Sequence, residues 1–182
     1  MDLLTELGCV NAAPLAQSLC RGCGLCCDGT LFELAKIKPD DDVVQLKKVG
    51  ITTICDDGGK FALPCASFDK VCTIYGACRP SICSGFLCEL LKRYNKSETL
   101  YEVAAEIIRQ AQSLKYKVHA SFLAAGVDNV GCLAQQYRSV REKLAESRTR
   151  ECVVAEFNYS VLQIQLNRYF RKNLTKHEVV LK

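Results

Sequence analysis

The chain has 182 residues, 49% of them hydrophobic, and carries 24 basic against 20 acidic side chains for a net charge of +4. This length fits one domain, or one small domain with an extension, and the apolar share excludes global disorder. No run of about 18 apolar residues occurs, so neither a transmembrane helix nor a membrane role is expected.

Residues 1–19 begin Met1-Asp2-Leu3-Leu4-Thr5-Glu6, with acids where a secretory signal carries positive charge. The expected compartment is therefore cytoplasmic. There thiols stay reduced, and the clustered ones among the chain's 13 cysteines read as metal ligands rather than as a disulfide framework. Leu3, Leu4 and Leu7 form a short apolar turn or helix that breaks near Asn11 and Pro14. This segment is expected to pack over the stretch that follows.

That stretch, Cys20-Arg21-Gly22-Cys23-Gly24-Leu25-Cys26-Cys27, sets four thiols within eight residues and ends in the turn signal Asp28-Gly29. A Cys-x2-Cys step lets two sulfurs of one tight turn reach one ion, and glycine permits the positive φ such turns need. Neighbouring side chains diverge, which leaves Cys26 and Cys27 open to several roles. They could serve different metals, or one could ligate while the other packs or donates nearby.

Thr30 to Ile37 reads as a short strand or a bridge. Pro39-Asp40-Asp41-Asp42 then starts a helix with acids at its positive dipole end, Val43, Val44, Leu46 and Val49 form its apolar side, and Gly50 stops it. Ile51 to Cys55 and Lys60 to Leu63 read as a hairpin about Asp56-Asp57-Gly58-Gly59, closed by Pro64. Residues 65–88 are loop-rich and hold Cys65, Cys72, Cys78, Cys83 and Cys88, with a short strand over Cys72-Thr73-Ile74-Tyr75. A helix is expected from Leu87 to Tyr94.

After Asn95 the cysteines thin out and helical spacing takes over. Asn95 and Glu98 resemble a capping box. Leu100, Val103, Ala104, Ile107, Ile108, Ala111, Leu114 and Val118 share one helix face, and Leu133, Tyr137, Val140 and Leu144 mark a second helix. Residues 152–172 are read as a third helix, although Leu162-Gln163-Ile164-Gln165-Leu166-Asn167 also alternates like a strand. The expected fold is α+β: a loop-rich, metal-organised part over residues 1–95 with a small hairpin and short helices, and a helical extension over 96–182 packed on it.

Charge divides along the same line. Residues 1–91 hold 8 basic and 11 acidic side chains, and residues 92–182 hold 16 and 9. The basic half could meet an acidic protein partner or simply water. It has no arginine-rich block or aromatic–basic interleaving, so nucleic acid is not the expected partner.

Cys20-x2-Cys23-x2-Cys26-Cys27 is followed by Pro64-Cys65, Cys72-Thr73-Ile74-Tyr75, Arg79-Pro80-Ser81-Ile82-Cys83 and Phe86-Leu87-Cys88. Together these resemble the YkgJ-type cysteine-cluster family, described as a zinc- or iron-chelating domain, over about residues 20–88. Cys78 stands where that family usually has a polar residue, and Ser84 where it commonly has Arg. The resemblance implies metal chelation by Cys20, Cys23, Cys26, Cys27, Cys65, Cys72, Cys83 and Cys88. A related group, the flagellin lysine methylases, carries a similar cluster with iron–sulfur character and uses S-adenosylmethionine. No glycine-rich nucleotide fingerprint occurs here to support methyl transfer.

Cys20, Cys23 and Cys26 also match the first three ligands of a bacterial ferredoxin run, which would need a remote fourth from Cys65, Cys72, Cys83 or Cys88. Eight thiols equally suffice for two tetrahedral zinc sites. Iron–sulfur is the preferred expectation over zinc. Three functions follow: a metal or cluster protein of redox, metal handling or assembly; a modifying enzyme, such as a methyltransferase; or an adaptor with a structural zinc. Cys9, Cys55, Cys132 and Cys152 are isolated and read as buried small hydrophobes. His119 and His177 lie far from the clusters. Tyr75 reads as a packing residue, and Arg79 either neutralises thiolates or makes a surface ion pair.

Overall fold

The structure is a computed structural model and describes residues 12–54, 59–76 and 79–172. The expectations for residues 1–11, Cys55 to Gly58, Cys78 and His177 fall outside the described residues.

The helix α1, Ala12–Cys23, runs further than the sequence reading allowed. Ala16, Leu19, Cys20 and Cys23 recur at helical spacing, and Ala16 and Leu19 are buried. Their burial draws the helix through the first two cysteines of a stretch whose glycines suggest a loop. Gly24 ends it at φ +69°, and a Cβ there would stand 2.6 Å from the Phe68 ring. Only glycine satisfies both the backbone and the close approach.

The strand β1, Leu34–Lys36, is followed by α2, Val43–Lys48. The Asp42 carboxylate caps α2 by accepting from the amides of Val44 and Gln45, so the acid run supplies a cap rather than a first turn. The strand β2, Lys60–Ala62, pairs antiparallel with β1, with Ala35 opposite Phe61. This corrects the expected hairpin. The 51–55 segment contributes one bridge, Ile54 to Lys60, and the ladder partner comes from before α2. Phe61 explains the choice, since pairing with β1 points it into a small core with Ile37, Leu46, Ile51 and Leu63. The strands β3, Phe68–Asp69, and β4, Val71–Cys72, form a second short antiparallel pair. The strand expected over 72–75 stops at Cys72.

The short helices α3, Ser81–Gly85, and α4, Glu89–Asn95, lead into α5, Tyr101–Ala124. Asn95 closes α4 instead of capping α5, whose N-cap is Leu100 without a side-chain bond. The helices α6, Leu133–Glu146, and α7, Arg150–Tyr169, complete the described elements. The class is α+β, mostly helical, with two small antiparallel pairs.

A large core joins α1, α4, α5, α6 and α7 and crosses the boundary expected at residue 95. Leu25, Leu90, Val118, Phe122, Val140, Leu162 and Leu166 are fully buried in it. Within α5 the expected apolar face is trimmed: Leu100 and Val103 are exposed, while Ala104, Ile107, Ile108, Ala111 and Val118 are buried. Tyr137 of α6 stacks on Tyr159 of α7 at 3.7 Å between centroids. No described helix is long and apolar enough to cross a membrane.

Candidate metal centre

Two cavities adjoin beneath the Cys20–Cys27 stretch. The larger, of 260 Å³, is lined by Cys20, Cys26, Cys27, Cys65, Cys72 and Cys83, with Phe61, Phe68, Tyr75, Arg79 and Phe86 among its other walls. The smaller, of 40 Å³, is lined by Cys20, Cys23, Cys26, Cys27 and Cys88 with Leu19, Leu25 and Leu90. The fold thus gathers all eight candidate cysteines onto one pair of adjoining spaces. They come from α1, the turn after it, the segment after β2, β4, α3 and the start of α4.

Local structure aims them. The amide of Asp28 donates to the Gly24 carbonyl at 2.9 Å, closing the turn that carries Cys26 and Cys27. The Cys65 amide donates to the Cys27 carbonyl at 2.8 Å, which ties the second cysteine group to the first. Asp41 accepts from the Ser81 amide at 2.6 Å and so fixes the start of α3, which carries Cys83. From the far side, the Gln112 side-chain amide donates to the carbonyls of Gly22 and Cys23 at 2.9 Å each. Gln112 and Lys115 were not expected at the site. They sit three residues apart on α5 among other polar residues such as Glu106, Arg109 and Lys117, so no sequence signal marks them.

All ten described cysteines are free thiols. Among the described residues, no three His, Cys, Asp or Glu side chains stand close enough together to hold an ion as placed. Burial pushes the Cys26 and Cys23 thiols well up, and the neighbouring Cys88 and Cys20 add to this in both. Burial likewise raises Cys27 to about 12, with Cys72, Cys83 and Cys65 contributing next. Cys83 rises to about 11 through burial and Cys65. Cys20, Cys65 and Cys88 are also raised, burial again leading. Such thiols are protonated at neutral pH and are poor nucleophiles.

Arg79 lines the larger cavity beside the thiols. It eases ionisation of both Cys20 and Cys83, and its guanidinium lies 4.1 Å from the centroid of the Tyr75 ring. Tyr75 therefore packs, as expected, and holds Arg79 toward the thiols. Cys132 and Cys152 are buried away from the cavities, as expected of small hydrophobes. His119 bonds Asn129 at 3.0 Å and faces no cysteine of the group. Several basic residues of the helical half are already paired with acids, among them Lys115 with Asp28, Arg138 with Glu33 and Arg141 with Glu156. No family model, characterised protein or solved structure matches the chain.

Proposed function

We propose that this chain is a metal-binding protein, akin to the YkgJ-type proteins it resembles. Its cysteine thiolates hold iron, as an iron–sulfur cluster, or zinc. The observation that carries the reading is the convergence of eight free thiols, from six places in the chain, on two adjoining sheltered cavities. Sulfur-only donors suit zinc and iron–sulfur clusters and suit magnesium or calcium poorly. A metal would have to draw the thiols inward, displacing their protons and supplying folding free energy to the part they line.

Iron–sulfur is favoured over zinc by the ferredoxin-like triplet Cys20, Cys23 and Cys26, with Cys88 grouped beside it as the remote fourth donor. The bound group would supply electron transfer or structural cross-linking. Arg79 would offset its negative charge, and the aliphatic walls would exclude water. Six cysteines line the larger cavity beside mostly apolar walls that include Phe61, Phe68 and Phe86, and the chain carries no glycine-rich nucleotide fingerprint. The reading is therefore a redox, metal-handling or assembly role rather than methyl transfer.

Anaerobic purification, followed by an absorption spectrum and by iron, sulfide and zinc analysis, tests the reading. Iron with matching acid-labile sulfide and a charge-transfer spectrum is the expected result, and stoichiometric zinc is its variant. A folded protein with no bound metal, and none taken up on reconstitution, overturns it.

A further inference from the structure

Cys26 and Cys27 are consecutive, yet their surroundings differ. Cys20, Cys23 and Cys26 pack against the large helical core, of which Cys88 is itself a buried member. Cys65 and Cys83 pack against the small core built on Phe61 and Leu46. The cavities sort five of the eight in the same way, while Cys20, Cys26 and Cys27 line both. Cys23 and Cys88 line only the smaller one, and Cys65, Cys72 and Cys83 only the larger. The Cys27 carbonyl is bonded by the Cys65 amide, which places Cys27 on the side of the small core.

We infer that the eight cysteines form two separate metal centres divided at the Cys26–Cys27 peptide: Cys20, Cys23, Cys26 and Cys88 hold one, and Cys27, Cys65, Cys72 and Cys83 the other. This rests on the thiolate–metal reading above and adds the number of centres and their ligands. With zinc, each centre forms as one divalent ion displaces four thiol protons, leaving a four-thiolate site of charge −2. No electron is transferred and no other reactant is needed. Two such sites side by side repel each other, and Arg79, which lines the larger cavity together with Cys20 of one set and Cys83 of the other, lies where it offsets both. The adjacent pair is then the shared wall of two sites, each neighbour turned to its own.

The test uses the full chain, reduced and reconstituted with zinc, with bound metal counted by native mass spectrometry. Two zinc ions per chain are expected, one each in Cys26→Ser and Cys27→Ser, and none in the double variant. Combining Cys26→Ser with Cys88→Ser should still leave one ion, and so should Cys27→Ser with Cys65→Ser. Combining Cys26→Ser with Cys65→Ser should leave none. Because a variant could misfold, the unmodified chain loaded with cadmium supplies a second readout: two cadmium resonances without mutual coupling. One zinc per chain, or coupled cadmium signals from bridging thiolates, overturns the division while leaving the thiolate–metal reading intact. A chain that binds no zinc and no cadmium, and assembles no iron–sulfur cluster on reconstitution, overturns both.

Discussion

The ammonium of Lys115, on α5, lies 2.8 Å from the Asp28 carboxylate that ends the cysteine stretch, and the two side chains are only 15% and 14% exposed. The second Asp28 oxygen accepts from the Thr30 amide at 2.9 Å. One ion pair thus anchors the turn carrying Cys26 and Cys27 to the middle of the longest helix. Breaking a sheltered pair from one side leaves a charge without a partner, at a cost of about 3 kcal/mol. Lys115→Met should therefore destabilise the chain by that amount in denaturant titrations and lower its metal content. Lys115→Met combined with Asp28→Asn should recover part of the loss. Additive losses in the double variant would show that the two residues act independently.

Asp41 plays a similar part for Cys83. Burial works to raise its pKa, but the amides of Ser81 and Lys38 outweigh that and hold it below the ordinary carboxylate range. A depressed folded value contributes stability that is present above the unfolded pKa and is lost as pH falls through the folded one. Asp41→Ala should cost about 1–2 kcal/mol at neutral pH, the scale of two charge-assisted bonds at a partly exposed site. Denaturation midpoints of the two proteins should draw together as the pH falls below about 4. An equal gap at both pH values would assign the loss to something other than the carboxylate.

Much of the helical half was legible because its apolar residues obey one period. At α7 two periods competed. The alternation over Leu162, Ile164 and Leu166 would bury all three in a strand, whereas Leu162 and Leu166 are fully buried and Ile164 is 68% exposed. Spacing by four decided the element. The same spacing over Ala16, Leu19, Cys20 and Cys23 would have revealed α1, but the glycines and the Cys-x2-Cys pattern read more strongly as a turn. The pairing of β2 with β1 was hidden because a turn signal at 56–59 favours the nearest strand, while the burial of Phe61 is decided by residues from before α2. Nothing local to Cys26 and Cys27 distinguishes them. Cys26 packs against the large core while the Cys27 carbonyl is bonded by the Cys65 amide, and both relationships exist only once the chain is folded.

Metal removal should unfold the two parts unequally. The small core has five buried members, Ile37, Leu46, Ile51, Phe61 and Leu63, beside strands of two or three residues. That is little apolar burial to offset the entropy of ordering residues 30–88. The large core is continuous through α4 to α7. A strong chelator should therefore abolish hydrogen-exchange protection over residues 30–88 and largely spare α5, α6 and α7. Unchanged protection over 30–88 in metal-free protein would mean that packing alone holds this part.

The face of α5 offers a direct contrast between core and surface. Ile107 is buried in the large core, so Ile107→Asp loses its packing and places a carboxyl where nothing pairs with it. The expected loss is about 4 kcal/mol. Arg141 is 58% exposed and its partner Glu156 30%, so Arg141→Glu should leave stability almost unchanged despite their 2.8 Å separation. Thermal or denaturant unfolding of both variants checks the pair. Comparable losses would mean that this side of α5 is less sheltered than its burial indicates.

Gly29 is where the cysteine stretch meets the helical half most closely. Its φ is +78°, and a Cβ on it would stand 2.9 Å from the Cys132 Cβ and 3.0 Å from the Cys132 Cα. Cys132 is fully buried and caps α6, with Gln135 accepting from its amide at 3.1 Å. It cannot retreat without disturbing the helix start. The Gly29 carbonyl in turn accepts from the Leu133 amide at 3.1 Å, so the approach is fixed from both sides. Gly29→Ala therefore combines a left-handed backbone on a residue with a side chain and an overlap with backbone, together worth about 3 kcal/mol. The expected outcome is a lower unfolding midpoint together with a looser hold on metal, because the turn bearing Cys26 and Cys27 is displaced from α6. Gly29→Ala combined with Cys132→Gly should regain the part due to overlap with the Cys132 side chain, leaving the strain of φ and the crowding against the α6 backbone. If the double variant is no more stable than Gly29→Ala, the steric half of the explanation fails and backbone strain alone accounts for the loss.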